Sequence, residues 1–247
     1  MQFTYFASMI IAADLGNTAL KLAVFDDNKL IVSQKFGYSD KNDIENFFQI
    51  YSADQLVFSS VTDIPDYFKL IINSIGRNLQ VNSLTPLPIV NSYGTPNTLG
   101  TDRIANAVGA AALYPGKPVL SIDCGTCLKF DFYNPRSGYE GGAISPGLTM
   151  RFKALHEFTA RLPLVTYRAD TPLIGKNTEE SILSGVVHGM LAEINGIVAQ
   201  YSDRFPDLVC VITGGDYLHF YNSLKTFIFA APDLTLIGLR EILRYNQ

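Results

Sequence analysis

The sequence predicts an α/β chain made of two similar halves, each with a mixed sheet, around a central cleft. Three observations carry that expectation. The stretch Ile122-Asp123-Cys124-Gly125-Thr126 repeats Ala13-Asp14-Leu15-Gly16-Asn17-Thr18, with Asp14 and Asp123, like Gly16 and Gly125, 109 residues apart. The flanks repeat too once one gap is allowed, as Ala19-Leu20-Lys21 and Cys127-Leu128-Lys129. Each copy follows an apolar run, Met9 to Ala13 and Val119 to Ile122, and opens a half that reads as three strands and then mixed helix and strand. Asp-x-Gly alone also suits a hairpin turn. Two copies with matched flanks at half-chain spacing point instead to an internal duplication, with halves at 1–115 and 116–247.

In the first half, Ile10–Asp14, Ala19–Phe25 and Leu30–Lys35 are short β runs, with a turn at Asp26-Asp27-Asn28. Ile44, Phe47, Phe48 and Tyr51 recur at helical spacing. Gln55–Ser59 reads as a buried strand, Asp66–Ile75 as a helix and Leu87–Val90 as a further strand. The Gly/Pro/Asn-rich loop 91–100 leads to Thr101-Asp102-Arg103 and a small, apolar helix from Ile104 to Leu113, ended by Tyr114-Pro115-Gly116.

The second half begins again with strands at Pro118–Asp123, Leu128–Tyr133 and Gly138–Ala143. Ser145-Pro146-Gly147 opens a helix through about His156. Asn177-Thr178-Glu179-Glu180 caps a long helix whose apolar face is Leu183, Val186, Val187, Met190, Leu191, Ile194, Ile197 and Val198. Leu208–Ile212 and Thr226–Ala230 are expected strands and Leu234–Tyr245 a closing helix.

The 247 residues are 47% hydrophobic, enough for a sizeable core. A net charge of −4 with scattered Lys and Arg disfavours nucleic acid as a partner. No basic stretch precedes an apolar one at the N-terminus, and no uninterrupted apolar run nears the length of a bilayer span, so neither a signal peptide nor a membrane anchor is expected. Residues 1–8, before the first strand, read as an extension. Cys124, Cys127 and Cys210 are an odd set suited to reduced thiols and a cytoplasmic setting. Cys124-Gly125-Thr126-Cys127 has redox or zinc spacing, but it lies between strands rather than at a helix start, which favours packing.

No G-x-x-x-x-G-K-[ST], G-x-G-x-x-G or G-x-S-x-G is present, and His156, His188 and His219 lack metal spacing. What remains is five Gly/Thr/Asp turns at strand ends: 14–18, 100–103, 123–126, 141–147 and 213–216. Backbone N–H groups around phosphates, carboxylates for Mg²⁺ and an acid beside an attacking hydroxyl are the equipment of phosphoryl transfer.

Asp14 to Lys21, Gly100-Thr101-Asp102-Arg103, Asp123-Cys124-Gly125-Thr126, Gly141 to Gly147, Gly175-Lys176-Asn177-Thr178 and Thr213-Gly214-Gly215 together resemble the motifs of the type III pantothenate kinases. The matches run in family order from residue 9 to about residue 240. The resemblance implies the duplicated actin-like (ribonuclease H-like) fold shared with acetate kinases, sugar kinases and heat-shock chaperones. It implies ATP-dependent phosphorylation of pantothenate by a cytoplasmic homodimer, with Val186 to Val198 as a contact face. A sugar or acetate kinase, or a non-catalytic regulator, is the alternative.

By the same resemblance Asp14, Leu15, Gly16, Asn17, Thr18, Ala19, Leu20 and Lys21 form the first phosphate loop, with Asp14 near Mg²⁺ through water and Thr126 touching ATP. Asp102 accepts the hydroxyl proton and Arg103 holds the pantothenate carboxylate. Gly100, Thr101, Tyr93 and Thr178 contact the substrate, and Asp123 holds a monovalent cation, K⁺ or NH₄⁺. The chain departs from the family pattern where Ala and Thr are expected at 127 and 129 and Cys127 and Lys129 stand. An inward-facing Lys129 would set a positive charge beside the cation or phosphate site.

Overall fold

Alternate residues of the strand β1 (Met9–Leu15) serve two different cores. Ile11, Ala13 and Leu15 point to one face of their sheet, and Ile10 and Ala12 to the other. Both faces are covered, so the strand reads as a nearly continuous apolar run rather than an alternating one. The computed structural model describes residues 9–224 and 228–247, and the chain divides into two compact units.

In the first unit β1, β2 (Leu20–Asp26), β3 (Lys29–Phe36), β4 (Gln55–Ser60) and β5 (Arg77–Gln80) form one sheet in the order β3-β2-β1-β4-β5. β1, β2 and β3 pair antiparallel, whereas β4 and β5 run parallel to β1. Helices α1 (Lys41–Ile50) and α2 (Asp66–Ser74) cover one face through Ile44, Phe47, Phe68 and Ile72. The other face carries α3 (Thr101–Leu113) and α7 (Leu234–Tyr245), through Ala105, Val108, Leu236, Leu239 and Ile242. These two helices cross at contact distance because glycine faces glycine. A Cβ on Gly238 would lie 1.8 Å from the Ala105 carbonyl oxygen, and one on Gly109 would lie 2.4 Å from that of Leu234.

The second unit repeats the pattern. Strands β6 (Val119–Cys124), β7 (Cys127–Asn134), β8 (Gly138–Pro146), β9 (Val209–Thr213) and β10 (Phe229–Ala230) order as β10-β9-β6-β7-β8. Again the first three are antiparallel and the last two parallel to the first. Asp14 pairs with Lys21 across β1 and β2, and Asp123 with Lys129 across β6 and β7, so the repeat is one of register as well as of sequence. Helices α4 (Leu148–Glu157) and α5 (Thr178–Arg204) pack on one face through Phe152, Leu183, Val186, Met190 and Ile194. The short α6 (Tyr217–Tyr221) follows β9.

Several expectations are corrected. The helix at 234–245 packs within the first unit, which runs to Leu113 and takes in Asp233–Gln247, so the halves do not separate at 115/116. Its apolar stripe completes the β1 face that Ile10 and Ala12 leave open. Leu87–Val90 is no strand, since Pro86 and Pro88 remove ladder donors. The edge position falls to the polar, mostly exposed Arg77–Gln80. β8 continues to Pro146 instead of stopping at Ala143, paired with β7. Thr226–Ala230 lies partly outside the described residues.

Two expectations concern α5. It is long and apolar enough, by length and composition, to cross a membrane. Its Gly, Ser, Ala and His residues interrupt any pure apolar run without making the helix polar. Its apolar side is turned into its own unit: Val186, Met190, Ile194 and Val198 are buried there and offer no face to a second copy. The outer side presents Gly185, Gly189, Ala192 and Gly196.

Candidate active site

In the first unit the chain leaves β1 at Leu15 and re-enters the sheet at Leu20, with both leucines fully buried. They anchor a turn closed by Gly16 N–H donating to the Ala19 carbonyl at 3.1 Å, with Asn17 and Thr18 exposed at its tip. Asp14 stands at the base of this turn. The hydroxyl of Ser59, on the parallel neighbour β4, donates to Asp14 Oδ1 at 2.8 Å. The Tyr38 hydroxyl donates to the Gly16 carbonyl at 2.6 Å. Burial first, then the charge of Asp14, pushes the Tyr38 phenol up to about 12, so it remains a donor at neutral pH.

The start of α3 is built around Gly100. Its carbonyl accepts from Arg103 N–H and Ile104 N–H at 3.1 and 3.3 Å. Asp102 lies in the first turn, where its Oδ1 accepts from Arg103 N–H at 2.9 Å. Arg103 is only 5% exposed, and its guanidinium carbon lies 5.6 Å from the ring centre of Tyr93. Loop 91–100 thus returns Tyr93 to the helix start, and Tyr93, Gly100, Thr101, Asp102 and Arg103 converge there.

In the second unit three turns meet. Gly147 N–H donates to the Thr126 carbonyl at 3.2 Å, and Asp216 N–H to the Cys124 carbonyl at 2.8 Å. Gly214 has φ +94°, and a Cβ there would lie 2.5 Å from Asp123 Oδ1. Only glycine allows both that backbone and that approach. Thr126 is exposed at the turn tip, and Cys124 is buried in the core, where burial raises its thiol pKa and makes it inert. Lys129 Nζ stands 2.8 Å from Asp123 Oδ2. Thr178 is the exposed first residue of α5, whose cap is Asn177: its Oδ1 accepts from Glu180 N–H at 2.9 Å, while Glu180 accepts from Lys176 N–H at 2.8 Å.

Sequence reasoning did not find Ser59, Tyr38, or the Arg151–Glu193 ion pair that joins Ser145 and ties the end of β8 to α5. Each acts across a long sequence separation, where no local pattern signals it. Among the described residues no group of His, Cys, Asp and Glu is gathered as a metal cluster would be.

The family model for type III pantothenate kinase matches residues 10–200. The chain belongs to the type III pantothenate kinase family. Over 243 residues it is 43% identical to the type III pantothenate kinase of Christiangramia forsetii, covering 97% of this chain and 99% of that one. Among solved structures, a Campylobacter jejuni protein assigned to the Baf family of transcriptional activators aligns at TM-score 0.58 and 17% identity, covering 96% and 98% of the two chains. The ROK family glucokinase of Streptomyces griseus aligns at TM-score 0.52 and 12% identity, covering 96% of this chain and 100% of the other. At those identities the likeness speaks to fold alone: two similar α/β halves, the duplicated actin-like architecture that the pantothenate kinase family shares.

Proposed function

We propose that this chain transfers the γ-phosphoryl group of ATP to the primary hydroxyl of pantothenate, giving 4′-phosphopantothenate, the first step towards coenzyme A. The observation that carries this reading is the convergence of Tyr93, Asp102 and Arg103 at the start of α3, in a chain of the type III pantothenate kinase family. Arg103 pairs with the pantothenate carboxylate through its planar fork, with the Tyr93 ring against its face. Asp102 orients the hydroxyl and takes its proton as the oxygen attacks the γ-phosphorus. The bond to the β,γ-bridging oxygen breaks and ADP leaves with the electron pair. The transition state is loose, so placement and charge matter more than basicity, and a helix-start carboxylate suffices. Gly100, Thr101 and Thr178 are assigned to the substrate, and the Asp14 to Lys21 turn and Thr126 to ATP. Within that turn, Leu15 and Leu20 act as buried anchors whose backbone alone is available.

Asp14 suits Mg²⁺ held through water, because that ion needs only one or two carboxylates beside the phosphates. Ser59 would keep the carboxylate oriented, and the ion would neutralise phosphate charge.

We assign the chain to the cytoplasm and to a homodimer. A dimer contact on α5 falls on Gly185, Gly189, Ala192 and Gly196, and light scattering on purified protein reads the mass.

The deciding experiment offers ATP with pantothenate, glucose, N-acetylglucosamine or acetate and follows ADP release. Turnover of pantothenate alone supports the proposal. Turnover of a sugar or acetate instead overturns it in favour of a relative's chemistry, and none at all favours a regulator. Arg103→Met is expected to raise KM for pantothenate about tenfold or more, the worth of a charged hydrogen-bond pair, with a smaller change in kcat. Pantothenol, which lacks the carboxylate, reads out the same contact: its KM should be nearly equal in wild type and variant.

A further inference from the structure

The family resemblance places a monovalent cation at Asp123, and the residues around that carboxylate do not fit one. Asp123 and Lys129 sit directly opposite each other on β6 and β7, so their side chains share one face of the sheet. Lys129 Nζ lies 2.8 Å from Asp123 Oδ2, and both side chains are largely buried, at 14% and 13% exposure. The other oxygen, Oδ1, lies beside the glycine turn, where side chains at 214 or 125 would crowd it: a Cβ on Gly214 would stand 2.5 Å from it, and one on Gly125 3.2 Å. One carboxylate oxygen thus carries an ammonium already. A free K⁺ or NH₄⁺ beside this carboxylate would have to share it with a like charge a few ångströms away, in a place too buried for water to screen the repulsion.

We propose that the Lys129 ammonium takes the cation's place, so that turnover needs no added K⁺ or NH₄⁺. Of the two cations, ammonium is the one whose chemistry the lysine head group shares. Lysine ends in an NH₃⁺ group with three N–H donors, in effect a tethered ammonium ion. Its stem rises from the strand opposite Asp123, which fixes the charge at the Asp123–Thr126 turn without recruiting an ion from solution. The lysine is a positioning residue: it acts through Asp123 and the turn assigned to ATP. The inference rests on the kinase reading above but fails separately from it.

The test measures pantothenate phosphorylation at constant ionic strength with sodium, tetramethylammonium, potassium or ammonium as the only monovalent cation. Wild-type turnover should change less than about twofold among them, whereas loss of one preorganised charge in Lys129→Ala should lower it by at least about tenfold in sodium. Potassium or ammonium should restore the variant, which loss of a merely structural lysine would not allow. Lys129→Met, which keeps the apolar stem, serves if the alanine variant does not fold. A wild-type rate that rises about tenfold with potassium or ammonium overturns the proposal, whatever the variants do. So does a folded variant that remains fully active in sodium, or one that neither ion restores. The melting midpoint supplies a readout independent of activity: potassium should raise that of the variant relative to sodium and leave the wild type unmoved. If pantothenate is not turned over under any cation, the kinase reading fails, and the melting series still decides whether Lys129 stands in for an ion.

Discussion

Replacing Asp102 with Asn should lower kcat for pantothenate by about two to four orders of magnitude, the usual worth of a positioned proton acceptor. The substitution is close to isosteric. The Asn side-chain oxygen can still accept from Arg103 N–H, as Asp102 Oδ1 does at 2.9 Å, so the helix start should survive. What is lost is the negative charge that orients the hydroxyl and receives its proton. KM for both substrates and the melting midpoint should therefore move little while kcat collapses. An unchanged kcat would remove Asp102 from its assigned role. A fall in melting midpoint that accounts for the lost activity would make it a cap and nothing more.

Gly238→Ala should destabilise the first unit by about 3 kcal/mol or more, at or beyond the upper end of overpacking costs. The added methyl would stand 1.8 Å from the Ala105 carbonyl oxygen and 2.6 Å from its carbon. Those are backbone atoms inside α3, so no rotamer change relieves the clash and the helices must part. The separation would loosen contacts of Leu236, Leu239, Ala105 and Val108 along the shared face. Because α3 also carries Asp102 and Arg103, kcat should fall along with stability. Gly76→Ala is the control, in the same unit with open space around the new methyl, and should be neutral or slightly stabilising. Urea unfolding followed by circular dichroism compares the two, and equal midpoints would show that the helices yield at little cost.

The duplicated order of strands was legible because its cause is local. Two apolar runs ended in the same acid-glycine turn, and the nearly continuous burial of Ile10 to Leu15 follows from covering both sheet faces. The α5 cap was legible for the same reason, as Asn177 and Glu180 satisfy each other's neighbourhood within one turn. What escaped was set by distant parts of the chain. Arg77–Gln80 is polar because it lies at an edge, and nothing in its own residues marks it as a strand. Ser59 reaches Asp14 only because β4 runs parallel beside β1. The side of α5 that meets the core could be listed from its periodicity, but whether that side served its own unit or a second copy could not. The turns at Asp14, Asp102 and Asp123 stood out in the sequence and took their roles by resemblance, whereas the pairing of Lys129 with Asp123 needed strand register to appear.

The return of α7 to the first unit has a consequence for biosynthesis. On the ribosome, residues 9–113 emerge with one sheet face covered by α3 alone, since the second helix over Ile10, Ala12 and Phe25 is made only after the whole second unit. The earlier-made unit must therefore wait, partly uncovered, while the later-made one can finish first. A stall or a nonsense codon late in translation would harm the part of the protein synthesised at the beginning.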